Sequence, residues 1–440
     1  MDTQETQQLK LKPSLSLFDA TAISVGAIVG AGIFVVTGIA AGLAGSALVI
    51  SMLIAAVISL LTASSFAELS AWQPKEGSIY EYTYQLISPF AGFLTGWMWI
   101  LSNTFAGAAV SLGFAYYFTA LYPNLPTIHV SIVTFAPASY VAALICLAFT
   151  TINYYGVRQS ALLNNFLVTA KLIILTFFII FGLLYVRTTN FIPFNPFEAG
   201  VLYGACYIFF AYGGFARAAV IAEEVKDAKR NVPKAMILAL IISTVFYILV
   251  GIVAVGLVGA NKLASSDSPL HEAIGTTGNA AAVVTISIGG LLATASVLLT
   301  SVIGVSRMAY AMARRKDLPQ VLSKLHSKHN TPLYSIWIIG LAMSLLALIV
   351  DLSRVVAIST FSLLFFYTLA NVSALRLKIQ RRAYPRVIPA LGAITCLALF
   401  VSILFISPQA WLIGVVCLII GIVFYFAKQQ VRSKTGLQSE

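Results

Sequence analysis

Charged residues are scarce in this 440-residue chain: only 10% of its residues are Asp, Glu, Lys or Arg, whereas 59% are hydrophobic. Soluble domains carry about 25% charged residues, so the chain cannot cover a water-facing surface of ordinary composition. Its mean hydropathy of +0.92 agrees, and its apolar residues suffice for roughly a dozen spans of about 20 residues. The composition excludes a soluble enzyme, a disordered protein and a disulfide scaffold, and predicts an all-α polytopic membrane protein.

Residues that hold metals or form disulfides are also few, with four cysteines and four histidines. The cysteines fall inside apolar segments, where a thiol behaves as a small buried hydrophobic group: Cys146, Cys206, Cys396 and Cys417. The histidines fall between these segments: His129, His271, His326 and His329. This placement argues against haem, a buried zinc site and a histidine proton relay, and no nucleophile–base cluster indicates an enzyme. We therefore expect no cofactor, no metal and no catalytic activity.

The net charge of +12 does not indicate nucleic-acid binding, because the basic residues cluster in short loops between apolar segments. One membrane face receives Lys10, Lys12, Arg158, Lys226, Lys229, Arg230, Lys234, Arg307, Arg314, Arg315, Lys316, Arg376, Lys378, Arg381, Arg382, Arg386 and Lys428. The other face receives only Arg187, Lys262 and Arg354. Cytoplasmic loops carry the excess of Lys and Arg, so both termini are predicted to be cytoplasmic, in a protein of the plasma membrane.

Hydropathy predicts twelve spans, and two of them contain glycines that disfavour a continuous helix. The spans are 17–41, 45–70, 87–119, 133–153, 162–186, 200–222, 235–258, 281–306, 333–350, 354–375, 387–407 and 410–427. The first contains Gly26, Gly30 and Gly32 and the sixth contains Gly213 and Gly214, each costing about 1 kcal/mol relative to alanine in a helix. Close helix packing is the alternative explanation for the first span, because Gly26 and Gly30 also fit a small-xxx-small contact.

The two interruptions lie five spans apart, which is an odd repeat length. A second copy of an odd repeat enters the membrane from the opposite side, as in the inverted repeats of secondary transporters. Unwound backbone at membrane depth is tolerated only where it is buried in protein or lines a cavity. The sequence therefore predicts a site for a small zwitterion at these two breaks.

Several motifs along the chain resemble those of the amino acid–polyamine–organocation (APC) transporters. They are the first span, Gly92-Phe93-Leu94-Thr95-Gly96-Trp97, Gly213-Gly214-Phe215, Glu223-Glu224-Val225-Lys226, Arg230-Asn231-Val232-Pro233, Ser306–Arg314, Leu318-Pro319 and Thr331-Pro332. The resemblance runs in order from about residue 15 to about residue 385. It implies a LeuT-like 5+5 inverted repeat with two trailing helices, discontinuous helices 1 and 6, and alternating access. The expected parts are a tail (1–16), two five-helix repeats (17–186 and 200–375), helices 11 and 12 (387–427) and a second tail (428–440).

The resemblance also implies which backbone groups bind an amino acid. The amides of Gly30, Ala31 and Gly32 would hold the carboxylate, and a positive half-helix N-terminus suits that role. The carbonyls of Ile28, Phe210 and Gly213 would take the ammonium group, with Ala211 beside them and the Phe210 ring as a gate. Ala31 lacks the hydroxyl that many relatives have, so carboxylate binding must rest on the backbone. Ala216 stands where relatives commonly carry Glu or Asp.

Lys171 is predicted to couple transport to protons. It lies nine residues into the fifth span, roughly 14 Å deep, where a charge costs roughly 2.5–3.5 kcal/mol on insertion scales. The alternative is an ion pair, but the candidate carboxylates all lie near span ends: Asp19, Glu68, Glu223 and Glu224. Burial disfavours the charged form of an amine, so this lysine can release and regain a proton. The resemblance implies that its ammonium replaces a bound sodium ion and contacts Gly26 and either Ser296 or Thr300.

Arg217 follows the break in the sixth span and has two interpretations. It either contacts an anionic group of the substrate, or it pairs with Glu68 or Glu223 at an inner gate or reaches water there. Two buried cations without a matching mid-membrane carboxylate disfavour polyamines and dibasic substrates. Neutral amino acids of small to medium size fit best, and acidic ones remain open because of Arg217.

The leading hypothesis is therefore proton-coupled amino acid symport without sodium. The alternatives are a sodium-independent amino acid exchanger, in which Lys171 keeps its charge, and a non-transporting amino acid receptor. A channel fits poorly, since two internal breaks in twelve spans do not make a symmetric pore. The expected partners are the amino acid and the lipid bilayer, and the sequence does not indicate an oligomeric state.

Overall fold

A computed structural model describes residues 13–75, 77–130, 133–155, 157–326, 331–380 and 382–434. The described chain is almost entirely helical, with one short antiparallel hairpin of Ile128–Val130 (β1) and Val133–Phe135 (β2). The helices are Leu17–Ile28 (α1), Thr37–Ala44 (α2), Leu48–Trp72 (α3), Ile79–Leu86 (α4), Pro89–Leu121 (α5), Pro137–Tyr155 (α6), Val157–Leu183 (α7), Ala199–Tyr212 (α8), Arg217–Val220 (α9), Ala228–Val258 (α10), Ala260–Ala264 (α11), Pro269–Gly275 (α12), Ala280–Arg314 (α13), Leu333–Ile349 (α14), Leu352–Arg376 (α15), Val387–Ile406 (α16) and Pro408–Lys434 (α17). The predicted all-α membrane fold is confirmed.

The apolar helices are long enough to cross a bilayer. Within the described residues, ten helical stretches qualify by length and composition, the first running with interruptions from Leu17 to Trp72, and α14 is a shorter apolar helix. Large apolar side chains stay exposed along the outer faces, as at Leu162, Phe166, Ile173 and Ile180 of α7. Such a continuous exposed apolar face is stable only against lipid tails.

Several predicted span ends differ from the observed helices. Residues 133–135 form strand β2, and α6 begins only at Pro137, whose fixed φ suits the first turn of a helix. The eighth predicted span ends at 306, but α13 continues to Arg314, because charged side chains at a helix end can reach water beyond the hydrocarbon. Lys10, Lys12, Arg381, His329 and the Arg158 side chain lie outside the described residues, as do most of the predicted tails.

Local sequence signals set the helix starts that position the site. At Ser16 the side chain accepts the Asp19 amide at 3.2 Å, and the Asp19 carboxylate accepts the Ser16 amide at 2.9 Å. This reciprocal capping satisfies amides that a helix start leaves without partners. The core lies where α1 packs against α7, α10 and α13, and where α5 packs against α13 and α15.

Candidate functional site

The first apolar segment is broken at Val29 and Gly30. Helix α1 ends at Ile28, Val29 is extended (φ −77°, ψ 92°), and a π-helical turn over Gly32–Val36 leads into α2. The amides that open the second half have no partners within a regular helix. Those of Ala31 and Gly32 belong to residues that line a cavity, whereas Gly30 packs against Val297 of α13.

The second interruption is a tightened turn. Helix α8 passes into a 3-10 segment, Gly213–Ala216, before the single turn of α9. Gly214 lies directly against the first break: a Cβ built there would be 2.3 Å from the carbonyl carbon of Ala27 and 2.5 Å from the amide nitrogen of Ile28. The two interruptions therefore cross in backbone-to-backbone contact, which only glycine permits.

Three backbone carbonyls predicted to bind an ammonium group already accept hydrogen bonds within the protein. The Tyr247 hydroxyl donates to the Ile28 carbonyl at 2.7 Å, and the Tyr367 hydroxyl donates to the Gly213 carbonyl at 2.8 Å. The Phe210 carbonyl accepts the Gly213 amide. Since a carbonyl oxygen has two lone pairs, the Ile28 carbonyl, at the end of α1, can accept a further donor from a ligand.

These elements enclose a small cavity of about 40 Å³. Ligand pockets commonly span about 300–1,000 Å³, so this cavity must widen to admit an amino acid. The lining comprises Ala27, Ile28, Ala31, Gly32, Ser102, Asn103, Ala106, Val110, Phe210, Ala211, Gly213, Gly214, Arg217, Val297, Ser301, Ser359 and Leu363. Of the residues that the sequence assigns to the substrate, only Gly30 is outside this lining.

Lys171 is wholly buried beside the first break, but it is not in the cavity lining. Its ammonium donates to the Gly26 carbonyl at 3.0 Å, to the Ser296 hydroxyl at 2.6 Å and to the Val29 carbonyl. Three acceptors can satisfy all three N–H groups of a lysine. Lys171 makes no ion pair within the described residues, so no carboxylate offsets its charge.

Of the two hydroxyls predicted to contact Lys171, only that of Ser296 lies within hydrogen-bonding distance of its ammonium group. The Ser296 hydroxyl also lies 3.3 Å from the Gly26 carbonyl. Thr300 lies one turn further along α13, and its hydroxyl donates to the carbonyls of Ser296 and Val297 at 3.1 and 3.0 Å. The Thr300 assignment is therefore corrected: a threonine in a helix readily satisfies its hydroxyl on the preceding turn.

Arg217 lies in the cavity lining and not in an ion pair. Its Nη2 donates to Oδ1 of Asn103 at 2.8 Å, and its guanidinium carbon lies 5.4 Å from the centre of the Trp99 ring. Glu68, one of the two proposed partners, is 3.8 Å from Arg382. Arg217 makes no ion pair with any described residue, so the proposed pairing with Glu68 or Glu223 is not formed in this structure.

Sequence reasoning missed six polar residues of the site. They lie within apolar spans, where one hydroxyl or amide is common and carries no local motif: Ser102, Asn103, Tyr247, Ser301, Ser359 and Tyr367. The carbonyl partners of Tyr247 and Tyr367 lie 219 and 154 residues away along the chain. Helical phasing could have placed Asn103 and Trp99 on one face of α5, four residues apart, but not against Arg217.

Ion pairs join the ends of several helices on one side of the bundle. Glu81 in α4 binds Arg315, which follows α13, through both carboxylate oxygens. Asp317 accepts the Tyr80 hydroxyl at 2.6 Å and pairs with Lys428 of α17 at 3.0 Å. These contacts therefore tie the ends of α4, α13 and α17 together.

The segment that precedes α1 forms backbone hydrogen bonds with the segment that follows α9. Residues 14 and 15 donate their amides to the Glu224 carbonyl at 2.9 Å, and the Lys226 amide donates to the Leu15 carbonyl at 2.9 Å. Burial raises the pKa of the Glu224 carboxyl, while Arg307, 3.5 Å away, opposes that rise. The segment that leads into α1 is thereby attached to the segment that follows α9.

We expect the Glu81–Arg315 pair to contribute measurably to stability. In a double-mutant cycle of Glu81→Gln and Arg315→Gln, followed by thermal unfolding in detergent, the coupling should be about 1–3 kcal/mol, because Glu81 is buried and the contact is bidentate. The exposed pair Asp351–Arg354 is the matched control, with about 0–1 kcal/mol expected. A coupling no larger than that of the control would contradict a stabilising role for the Glu81–Arg315 pair.

Comparison with known proteins identifies close relatives of the whole chain. Residues 15–436 match the amino acid permease family. The chain is 32% identical to the branched-chain amino acid permease BcaP of Bacillus subtilis, over 96% of this chain and 94% of that protein. It is also 32% identical to the methylthioribose transporter of Bacillus subtilis, with the same coverage. Cationic amino acid transporter 4 of Mus musculus is 32% identical over 87% of this chain and 62% of that protein.

Proposed function

We propose that this chain, which belongs to the amino acid permease family of the APC superfamily, carries amino acids by proton-coupled symport. Family membership establishes a membrane transporter and not an enzyme. The proposal adds the coupling ion, the direction and the plasma membrane location. The observation that carries it is Lys171, wholly buried, bonded to the broken helix and free of any described carboxylate partner.

The contacts of Lys171 link its protonation state to the shape of the break. A protonated amine donates three hydrogen bonds, whereas a neutral amine donates only two and presents a lone pair. Gly26 and Val29 belong to α1 and its break, and Ser296 belongs to α13. Loss of the proton therefore weakens the contact between these two elements, which is a route from protonation to alternating access.

The same geometry supports transport without sodium. Backbone carbonyls and a serine hydroxyl are ligands for a hard cation, but here they already surround an ammonium group. A second cation in this position would repel the first strongly at low dielectric. Protons are therefore the proposed coupling ion, and no other cofactor is proposed.

Uptake into sodium-free proteoliposomes tests the proposal. Labelled amino acids, supplied as a mixture, are expected to accumulate with an inward proton gradient and not without it. One proton per substrate and a gradient of two pH units allow about a hundredfold accumulation. Flux that ignores the gradient but requires internal amino acid would identify an exchanger, and binding without flux would identify a receptor.

A further inference from the structure

The substrate cavity carries a positive charge that the protein does not offset. Arg217 is the one charged residue among the lining residues, and no carboxylate is among them. Within the described chain, Glu68, Glu81, Glu224, Asp317 and Asp351 each pair with another cation. An amino acid with a neutral side chain has no net charge and would leave this excess of one positive charge in place.

The existing contacts of Arg217 orient the guanidinium without neutralising it. The side-chain N–H of Asn103 donates a hydrogen bond to the Trp99 carbonyl at 2.9 Å. This bond turns the side-chain oxygen of Asn103 towards Arg217. Trp99 adds the face of its ring. Both groups are electrically neutral, and Nη1 of Arg217 is buried without a hydrogen-bond partner in the described chain. A buried, unpaired charge is costly, so a negative group arriving in the cavity gains a strong partner.

A second donor without a partner lines the same cavity as this guanidinium. Ser301 of α13 is fully buried, lines the cavity, and its hydroxyl has no hydrogen-bond partner in the described chain. Residues three apart share one face of a helix, and Gly304, three residues after Ser301, lies directly against Nη1 of Arg217. Ser301 and the guanidinium therefore lie along one face of α13, about one turn apart.

We infer that Arg217 and Ser301 form a subsite for an anionic side chain, so that the transported amino acid is dicarboxylic. The inference rests on the proposed function, and it selects the acidic class over the neutral class that the sequence favours. The amides of Ala31 and Gly32 hold the α-carboxylate, and the side-chain carboxylate reaches Arg217 with hydroxyl support from Ser301. A charge-assisted pair with a guanidinium in a cavity of low dielectric provides the selectivity.

Competition between acids and their amides tests the subsite. Uptake by wild-type protein in sodium-free proteoliposomes is measured against unlabelled aspartate and asparagine, and against glutamate and glutamine. Each acid should compete at least about tenfold better than its amide, because a hydrogen bond to a charged group is worth that factor or more. Arg217→Gln should remove the preference by weakening the acids alone, and Ser301→Ala should weaken the acids several-fold.

Two further variants separate recognition from folding. Arg217→Lys keeps the charge and should retain part of the acid preference, although it loses the planar fork of donors. Arg354→Gln removes an exposed arginine and should leave the ratio of acid to amide unchanged. Melting temperatures of all variants, measured in detergent, confirm that each remains folded.

Two results would disprove the anionic subsite without contradicting amino acid transport. One is wild-type uptake in which the amides, or larger neutral amino acids, compete as well as the acids. The other is an Arg217→Gln variant that weakens acids and amides by the same factor, as expected if Arg217 only packs against Trp99 and Asn103. Failure of every amino acid to compete or enter would overturn the proposed function together with the subsite.

Discussion

Replacing Lys171 with methionine should abolish accumulation driven by a proton gradient. Methionine keeps much of the buried volume of the lysine stem, so the main loss is the titratable amine and its bonds to Gly26, Val29 and Ser296. With the membrane potential clamped to zero, the wild-type ratio of inside to outside amino acid should approach a hundredfold at two pH units. The variant should remain near unity.

Exchange and control variants show whether the coupling itself is lost. Lys171→Met and Lys171→Ala are compared for uptake at equal pH and for exchange against internal substrate, which report whether the binding site survives. Lys262→Met replaces an exposed lysine and should accumulate substrate like wild type. Accumulation by Lys171→Ala that still follows the pH gradient would disprove the coupling role, and the carbonyls around residue 171 would then serve only structure.

The environment of Lys171 was partly predictable from the sequence. Its depth follows from counting residues within an apolar segment, and the lack of a mid-span carboxylate follows from composition. Gly26 and Ser296 entered through the family resemblance, since they lie 145 and 125 residues away from the lysine. The Val29 contact was not anticipated, because it depends on how the chain turns after Ile28, and dihedral angles at a break are not encoded by periodicity.

The two helix breaks show the same limit of what the sequence predicts. Glycine content located both interruptions, because an excess of glycine in an apolar span has few explanations. It did not show that one opens into extended backbone while the other tightens into a 3-10 turn. That difference depends on long-range partners such as Tyr247 and Tyr367, whose hydroxyls donate hydrogen bonds to backbone carbonyls at the two breaks. Hydrogen bonds across more than 100 residues leave no local pattern.

Adding one methyl group at Gly214 should be among the most damaging small substitutions in the chain. Alanine is favoured over glycine in a helical turn by about 1 kcal/mol, so local propensity predicts a gain. The new Cβ would, however, lie 2.3 Å from the carbonyl carbon of Ala27 and 2.5 Å from its oxygen. These are backbone atoms of the opposing break and cannot rotate away as a side chain can. Overpacking costs about 1–3 kcal/mol and occasionally more, and here the upper part of that range applies.

The measurable result for Gly214→Ala is a lower melting temperature together with a loss of uptake of about tenfold or more. The uptake loss follows because the methyl group pushes apart the two backbone segments that form the cavity wall. Gly275→Ala is the matched control, since a Cβ there meets nothing within 4 Å, and it should match wild type in both measurements. A Gly214→Ala protein with wild-type melting and uptake would mean that the two breaks do not touch at this point. The two backbone segments would then lie further apart than the contact between Gly214 and Ala27 indicates, and the cavity that they line would be wider.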